Sequence, residues 1–210
     1  MDTVAQKLAA SMLEIGAVLL APDKPFTWAS GWRSPIYTDS RRILSYPELR
    51  SWVADALAER VKQAWGEVET IAGVATGAIA HGVLVAERLG KPFIYVRSKP
   101  KDHGTGALVE GVLAPGTKLV VVEDMVSTGK SSLEAVDALR AAGADVVGMV
   151  ALFTYGFDLA AERFADKGVA LSTLSCYQAI LEAGLSAGTL RTQDLETLRE
   201  WRRSPSTWGQ

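Results

Sequence analysis

The sequence contains a single cysteine, no long apolar stretch and no excess of charge of one sign. Cys176 has no second thiol with which to form an intramolecular disulfide or a cysteine-rich metal site. No segment reaches about eighteen uncharged residues, and the N-terminal segment carries charged side chains among its apolar ones, which argues against a membrane span and a secretion signal. We therefore expect a cytoplasmic protein without a membrane partner.

The balance of charges limits the other partners. The chain has 22 basic and 24 acidic residues and a formal net charge of −2, so it has no general attraction to nucleic acid. We expect no nucleic-acid partner, and any phosphate must be bound at a local site. A hydrophobic fraction of 48% over 210 residues is sufficient for a buried core and predicts a single domain over residues 1–210.

Short apolar segments alternate with helical segments from residue 70 onward. Strands are predicted at 70–74, 93–96, 118–122, 146–153 and 169–174, with helices near 78–89, 131–142, 159–165 and 177–183. Helices are also predicted at 4–15 and at about 45–63, and a last helix on the surface at 192–203. The alternation predicts an α/β fold with a mainly parallel sheet flanked by helices, whose ligands bind beyond the carboxyl ends of the strands.

Two acidic residues follow the strand predicted at 118–122. Glu123 and Asp124 lead into a short loop of small and hydroxylated residues that opens a helix. Backbone amides at such a helix N-terminus, together with the helix dipole, favour a bound phosphate. We expect Glu123 and Asp124 to accept hydrogen bonds from two ribose hydroxyls, while the amides of 125–129 hold a 5′-phosphate. The candidate sugar-phosphate residues after the acids are Met125, Val126, Ser127, Thr128, Gly129, Lys130 and Ser131.

Two other interpretations of this segment fit it less well. A nucleotide-binding P-loop ends in the same Gly-Lys-Ser sequence as residues 129–131, but Asp124 stands where that pattern requires its first glycine. A carboxylate at that position would repel a triphosphate, which favours a phosphorylated sugar. Capping acids at the end of a purely structural strand would explain one carboxylate, but not two followed by Ser-Thr-Gly.

A basic loop follows the strand predicted at 93–96. Four basic residues fall within seven positions: Arg97, Lys99, Lys101 and His103. Two glycines, Gly104 and Gly106, follow them. A basic run is usually solvated surface, but glycine hinges beside the carboxyl end of a strand suit a loop that closes over a diphosphate. Cations there would stabilise the negative charge that develops on departing pyrophosphate when the bond at the ribose anomeric carbon breaks.

These segments carry a family resemblance. Residues 119–129 resemble the phosphoribosyl-pyrophosphate motif of the type I phosphoribosyltransferases, and residues 97–104 resemble the catalytic loop of the orotate phosphoribosyltransferases in particular. The resemblance implies the type I fold with a small N-terminal hood. It also implies transfer of the 5-phosphoribosyl group from phosphoribosyl pyrophosphate to orotate with Mg²⁺ as the cofactor, and a homodimer in which each loop reaches the partner's site.

The resemblance also assigns roles in the basic loop. Lys101 matches the loop lysine tied to catalysis, and it joins Glu123 and Asp124 in the set expected to be catalytic. Arg97 and His103 match pyrophosphate ligands, and Lys99 is expected to supply a charge that some members carry directly after the arginine, where this chain has Ser98. No direct protein ligand of the metal is assigned.

Two further segments match the family. Residues 26–41 resemble the segment that covers the base, which makes about 1–45 the hood. The expected orotate contacts are Ser30, Arg33, Tyr37 and Ser127. Ala29 stands where some members have a lysine, and Arg33 is the candidate replacement. Residues 73–82 resemble the pyrophosphate loop, in which the amides of Ala75, Thr76 and Gly77 are expected to face the diphosphate, with Gly77 in place of another lysine.

Two alternatives to orotate transfer remain at this point. A transferase for another base would keep the ribose-phosphate loop but should lack the Lys-Asp-His-Gly arrangement at 101–104. A non-catalytic regulator that senses the activated sugar would need a basic surface or an added DNA-binding unit, and the net charge of −2 argues against it.

Overall fold

The computed structural model describes residues 3–28, 30–98 and 108–209. The chain divides into two compact units, one formed by residues 1–46 together with 175–210 and the other by residues 47–174. The N-terminal residues therefore share their unit with the C-terminal segment. The expectation of one domain with a hood over about 1–45 stays a prediction. None of the helices in the described part of the chain is long and apolar enough to cross a membrane.

The described residues contain the following regular elements, numbered in chain order. The strands are β1 (Val18–Leu20), β2 (Phe26–Thr27), β3 (Arg33–Ser34), β4 (Ile36–Thr38), β5 (Thr70–Val74), β6 (Phe93–Val96), β7 (Val109–Glu110), β8 (Lys118–Val126), β9 (Asp145–Thr154) and β10 (Leu171–Cys176). The α-helices are α1 (Thr3–Glu14), α2 (Pro47–Trp65), α3 (Ile79–Leu89), α4 (Lys130–Ala141), α5 (Asp158–Asp166), α6 (Tyr177–Ser186) and α7 (Leu195–Arg203). Short 3₁₀ helices cover Ser40–Ser45 and Thr192–Asp194.

The larger unit is built on a six-stranded sheet with the order β10-β9-β8-β5-β6-β7. β5 pairs in parallel with β6 and β8, β8 pairs in parallel with β9, and β7 is antiparallel to its neighbour β6. Residues 119–122 of β8 are completely buried, as expected for a central strand covered on both faces. The predicted α/β fold with a mainly parallel sheet and flanking helices is confirmed.

The main difference from the sequence prediction is the length of β8. The strand was expected to end at 122, but it continues to Val126, so Glu123 and Asp124 lie inside it. The reason is tertiary: β9 runs alongside and offers partners beyond the apolar run, with Glu123 level with Ala151 and Met125 level with Phe153. A smaller difference is β10, which lies two residues later than predicted, at 171–176.

The smaller unit combines two short antiparallel ribbons with helices. β1 pairs with β4, and β2 pairs with β3 to form a hairpin in which Thr27 is level with Arg33. The last helix was predicted on the surface over 192–203. That prediction is wrong in part, because only 195–203 is α-helical and its Leu198 and Trp201 are completely buried. Their burial gives this helix an inner apolar face.

Candidate active site

The two acids of β8 have different surroundings. Glu123 and Asp124 are neighbours in the strand, and their carboxyl groups interact with each other. Glu123 is 4% exposed, and its carboxylate accepts hydrogen bonds from Ser132 Oγ at 2.9 Å and from the Asp124 amide at 3.0 Å. The carboxylate of Asp124 lies directly against the backbone of Gly77, where any side chain would overlap it. Asp124 is the partly exposed member of the pair.

The difference in burial also affects how readily Glu123 loses its proton. Loss of contact with water raises the pKa of Glu123 well above its ordinary value, and the neighbouring charge of Asp124 raises that pKa further. The bond from Ser132 acts in the opposite direction but is the weaker influence. Glu123 therefore keeps a proton more readily than an exposed glutamate, whereas Asp124 is the acid that a ligand can approach.

The loop after β8 is held by side chains from distant parts of the chain. Arg163 Nη1 donates a hydrogen bond to the carbonyl oxygen of Thr128 at 3.0 Å, and Thr154 Oγ1 donates one to the carbonyl oxygen of Val126 at 3.2 Å. The ring of Phe164 packs against Gly129, whose φ of 74° places it in the left-handed region that favours glycine. These contacts hold the loop in one conformation.

The loop opens directly onto the N-terminus of α4. The helix begins at Lys130, and no side chain caps it. The amides of its first turn have no partner inside the helix, and the helix dipole adds partial positive charge there. The arrangement suits an anion such as a phosphate group, as the sequence predicts, and it adjoins the strand that carries Asp124.

Sequence reasoning missed the residues that support this loop. Arg163, Phe164 and Thr154 lie roughly thirty residues from it along the chain, and no local pattern connects them to it. The glycine at 129 is the one local signal, since a left-handed residue at a helix start indicates a tight turn whose inner side must be filled.

The segment predicted as a pyrophosphate loop follows β5. Ala75 donates its amide hydrogen to the Val96 carbonyl at 2.8 Å, and the Ala75–Thr76 peptide bond is cis. Thr76 is exposed, and Gly77 faces Asp124. The structure thus brings the predicted diphosphate loop and the predicted ribose acid together at the carboxyl ends of two adjacent parallel strands. The Ala75 amide is already used in the bond to Val96 and does not face a diphosphate, contrary to the sequence prediction, because the parallel pairing of β5 with β6 continues to this residue. Thr76 and Gly77 remain predicted diphosphate contacts.

The basic loop is described only at its two ends. The Arg97 amide donates to the Leu108 carbonyl at 2.8 Å, and Arg97 Nη1 lies 3.6 Å from Glu110 Oε1 on the antiparallel strand β7. The segment therefore leaves from and returns to one pair of neighbouring strands. Lys99, Lys101 and His103 lie outside the described residues, as does Ala29, and their roles stay predictions.

His81 is a buried titratable side chain on the first turns of α3. It is completely buried, and neither ring nitrogen has a hydrogen-bond partner within the described part of the chain. Burial lowers its pKa from 6.5 to about 4, and the charge of Asp124 partly opposes that shift. The side chain is therefore packed and neutral near pH 7, and it lies within electrostatic reach of the ribose acid.

The candidate base contacts belong to the smaller unit. Tyr37 is 42% exposed, and its ring centroid lies 5.7 Å from that of Phe26. Arg33 is exposed and donates through Nη1 to the Gly209 carbonyl at 3.0 Å, and Ser30 Oγ accepts from the Trp32 amide at 3.4 Å. The structure places these side chains on or beside the β2–β3 and β1–β4 ribbons, and their contact with a base stays a prediction.

Comparison with known proteins agrees with this geometry. The family described as "Phosphoribosyl transferase domain" matches residues 39–181. Orotate phosphoribosyltransferase of Porphyromonas gingivalis is 52% identical over 209 residues, which cover 100% of both chains. The Lactococcus lactis enzyme of the same name is 50% identical over 206 residues, covering 98% of this chain and 99% of the relative.

Solved structures show the same likeness. Orotate phosphoribosyltransferase from Aeropyrum pernix superposes with a TM-score of 0.74 at 35% identity, covering 88% of this chain and 99% of that one. UMP synthase of Leishmania donovani gives a TM-score of 0.78 at 28% identity over 94% of this chain, which spans 42% of that longer protein. The chain therefore belongs to the phosphoribosyltransferases and, among them, to the orotate phosphoribosyltransferase family.

The burial of His81 predicts a loss of stability in acid. An unfolded histidine takes up a proton near 6.5, whereas folded His81 does so only near 4. Between these values the unfolded chain binds more protons, so the free energy of unfolding should fall as the pH falls, by up to about 3 kcal/mol. His81→Gln should remove this part of the pH dependence, measured by urea unfolding across the same window.

The matched control is His103→Gln, because it removes the only other histidine of the chain. Wild-type and His103→Gln proteins should show the same dependence of stability on pH. An unchanged dependence in His81→Gln would mean that His81 titrates normally in the folded protein.

Proposed function

We propose that this chain transfers the 5-phosphoribosyl group of phosphoribosyl pyrophosphate to orotate, giving orotidine 5′-phosphate and pyrophosphate. It is a pentosyltransferase of pyrimidine biosynthesis, in line with the family to which it belongs. The observation that carries the proposal is the Asp124 carboxylate lying against the 75–77 loop, on the same strand that leads into an uncapped helix N-terminus. Asp124, the proposed acid for sugar hydroxyls, thus lies beside two proposed phosphate sites formed by backbone amides, the 75–77 loop and the start of α4.

The ribose phosphate is proposed to bind along β8 and the loop that follows it. Asp124 accepts from a ribose hydroxyl, and the amides of 125–129 hold the 5′-phosphate at the start of α4, beside Lys130 and Ser131. Glu123 is proposed as the second ribose acid, although its oxygens accept bonds from Ser132 and from the Asp124 amide in the described conformation. For Glu123 to bind the sugar, its side chain must exchange the Ser132 contact for a hydroxyl.

The diphosphate is proposed to bind at the 75–77 loop, largely through backbone amides, because Gly77 carries no side chain. Arg97, Lys99, Lys101 and His103 are proposed to close over it as the bond at the anomeric carbon breaks. Positive charge placed over the departing pyrophosphate stabilises the transition state more than the ground state, which is what raises the rate. Lys101 is the proposed catalytic cation.

Mg²⁺ is the proposed cofactor. No three acidic, histidine or cysteine side chains gather to hold a metal ion among residues 3–28, 30–98 and 108–209. The described residues fit a Mg²⁺ ion that is bound mainly by the substrate. This ion keeps several waters and commonly binds through substrate phosphates and few carboxylates. When bound, it supplies positive charge to the diphosphate leaving group. No direct protein ligand is assigned.

The base is proposed to contact Ser30, Arg33, Tyr37 and Ser127. A tyrosine ring can stack on a flat pyrimidine, and an arginine can pair with the orotate carboxylate through two parallel hydrogen bonds. The negative charge of orotate lies on its carboxylate. Its N1 proton is lost when the bond to the anomeric carbon forms, and the departing pyrophosphate can accept that proton. A homodimer with shared active sites is proposed from the resemblance of the basic loop to that of the family. A cytoplasmic location is proposed from the charged residues in the N-terminal segment.

The experiment that tests the function is a base-selection assay. The purified protein is incubated with phosphoribosyl pyrophosphate, Mg²⁺ and, separately, orotate, uracil, hypoxanthine or adenine, and pyrophosphate is measured. Release is expected with orotate alone, because only orotate carries the carboxylate. Release with a different base would overturn the substrate assignment, and no release with any base would favour a sensing protein without catalytic activity.

Gly77→Ala should weaken the binding of phosphoribosyl pyrophosphate. The added methyl group would overlap the Asp124 carboxylate, which must then leave its position beside the loop. Losing one well-placed contact between a charged group and a sugar hydroxyl should raise the KM for this substrate about tenfold. Steady-state kinetics with orotate at saturation measure the change.

The matched control for Gly77→Ala is Val83→Ala, because Val83 is 45% exposed on the adjoining helix α3. Its KM should equal that of the wild type. If Gly77→Ala also retains the wild-type KM, Asp124 does not act from the position that the structure gives it.

Lys101→Ala should slow the chemical step. Removing one positioned electrostatic contact to a developing charge typically lowers kcat by about 10² to 10³. The expected loss is therefore in kcat, with the unfolding midpoint unchanged, measured by pre-steady-state turnover and thermal melting. Lys62→Ala, exposed on α2, is the matched control. Normal turnover by Lys101→Ala would show that the basic loop has been misassigned.

A further inference from the structure

The hairpin that carries Arg33 is contacted by the C-terminal end of the chain. Trp201 Nε1 on α7 donates a hydrogen bond to the Arg33 carbonyl oxygen at 3.1 Å. Arg33 Nη1 in turn donates to the carbonyl oxygen of Gly209 in the tail at 3.0 Å. One residue of the proposed base site is therefore held at its backbone by a helix and at its side chain by the tail that follows.

Trp201 is fixed on several sides. It is completely buried, and its ring centroid lies 5.5 Å from that of Trp28, edge to face, and 5.5 Å from that of Tyr177. The Tyr177 hydroxyl donates to the Leu198 carbonyl of the same helix at 3.0 Å. A buried indole N–H that loses its acceptor is costly, so α7 and the hairpin are constrained to keep their relative position.

The tail contact matters because the Arg33 side chain is exposed. A free arginine on a surface samples many rotamers and loses that freedom when it binds a ligand. The Gly209 carbonyl occupies one of the five guanidinium donors and orients the planar group, while the others stay available for a carboxylate. A side chain ordered beforehand binds its ligand with a smaller loss of entropy.

We propose that Trp201 is a positioning residue for base binding, and that the tail at 204–209 holds the Arg33 guanidinium ready for the carboxylate of the base. The inference rests on the proposed function, which assigns Arg33 to orotate. It extends that function by making the C-terminal segment a determinant of affinity for the base, separate from the ribose-phosphate residues of β8 and α4.

Two variants of the whole protein test the proposal. Trp201→Phe keeps an aromatic ring and removes the Nε1 donor, and a truncation after Ser206 removes the Gly209 carbonyl. Each should raise the KM for orotate about three- to tenfold, because each removes one hydrogen bond or the ordering of one side chain. The KM for phosphoribosyl pyrophosphate should change by less than about twofold, since its proposed contacts are elsewhere.

A double-mutant cycle distinguishes positioning from general damage. In an Arg33→Ala background the tail has no guanidinium to hold, so the truncation should cause no further rise in the KM for orotate. Arg199→Ala is the matched control, because Arg199 is exposed on the same helix as Trp201. Thermal melting of every variant measures any loss of stability.

The outcomes separate the two proposals. A wild-type protein that does not use orotate overturns the proposed function and this inference with it. A wild-type protein that uses orotate, with an unchanged KM for it in both variants, overturns only the inference. The inference also fails if both substrates are affected equally, or if the truncation keeps its full effect in the Arg33→Ala background. If Trp201→Phe does not fold, the truncation after Ser206 and its double-mutant cycle with Arg33→Ala test the inference without it.

Discussion

The close approach of the Asp124 carboxylate to the backbone at Gly77 is the constraint on which the ribose-phosphate site depends. It exists because β5 and β8 are adjacent parallel strands, with Gly73 level with Val122, so that their carboxyl ends reach the same edge of the sheet. The absence of a side chain at 77 lets the acid lie beside the loop. The proposed sugar acid and the proposed diphosphate loop are thereby neighbours, although Gly77 and Asp124 are 47 positions apart in the sequence.

The burial of Glu123 affects the repulsion between the acidic pair and a phosphorylated substrate. Two charged carboxylates would repel a substrate that carries several phosphate charges. Glu123 is buried against Ser132, and burial raises the pKa of its carboxyl group, which favours its protonated form relative to that of an exposed glutamate. Asp124 remains the acid that a ligand can approach. The N-terminus of α4, the proposed phosphate site, is thus preceded along the chain by one partly exposed acid and one buried acid.

The local patterns predicted most of the regular elements and the fold class correctly, and they supplied the candidate residues of the site. The apolar run before Glu123, the Ser-Thr-Gly loop and the glycine at 77 are contiguous features, and their neighbours along the chain set their conformations. The strand end was misplaced at 122, because hydrogen bonds to β9 extend β8 to 126. Local patterns did not predict the support of the loop by Arg163, Phe164 and Thr154, because these contacts connect residues far apart in the chain. The buried face of the last helix was not predicted, because the partners of Trp201 are the distant Trp28 and Tyr177.

By itself, the sequence determined the alternation of strands and helices, the acidic pair with its phosphate-binding loop, and the resemblance to the orotate phosphoribosyltransferases. These depend on hydrophobic periodicity and on residue types at fixed short spacing, which are local properties. Only the tertiary structure decided that Glu123 is buried while Asp124 faces Gly77, that α5 supports the loop, and that the C-terminal segment holds Arg33. The exposure of the two acids, the pKa of Glu123 and the support of the loop come from packing between residues that are distant in sequence, and no local spacing encodes them.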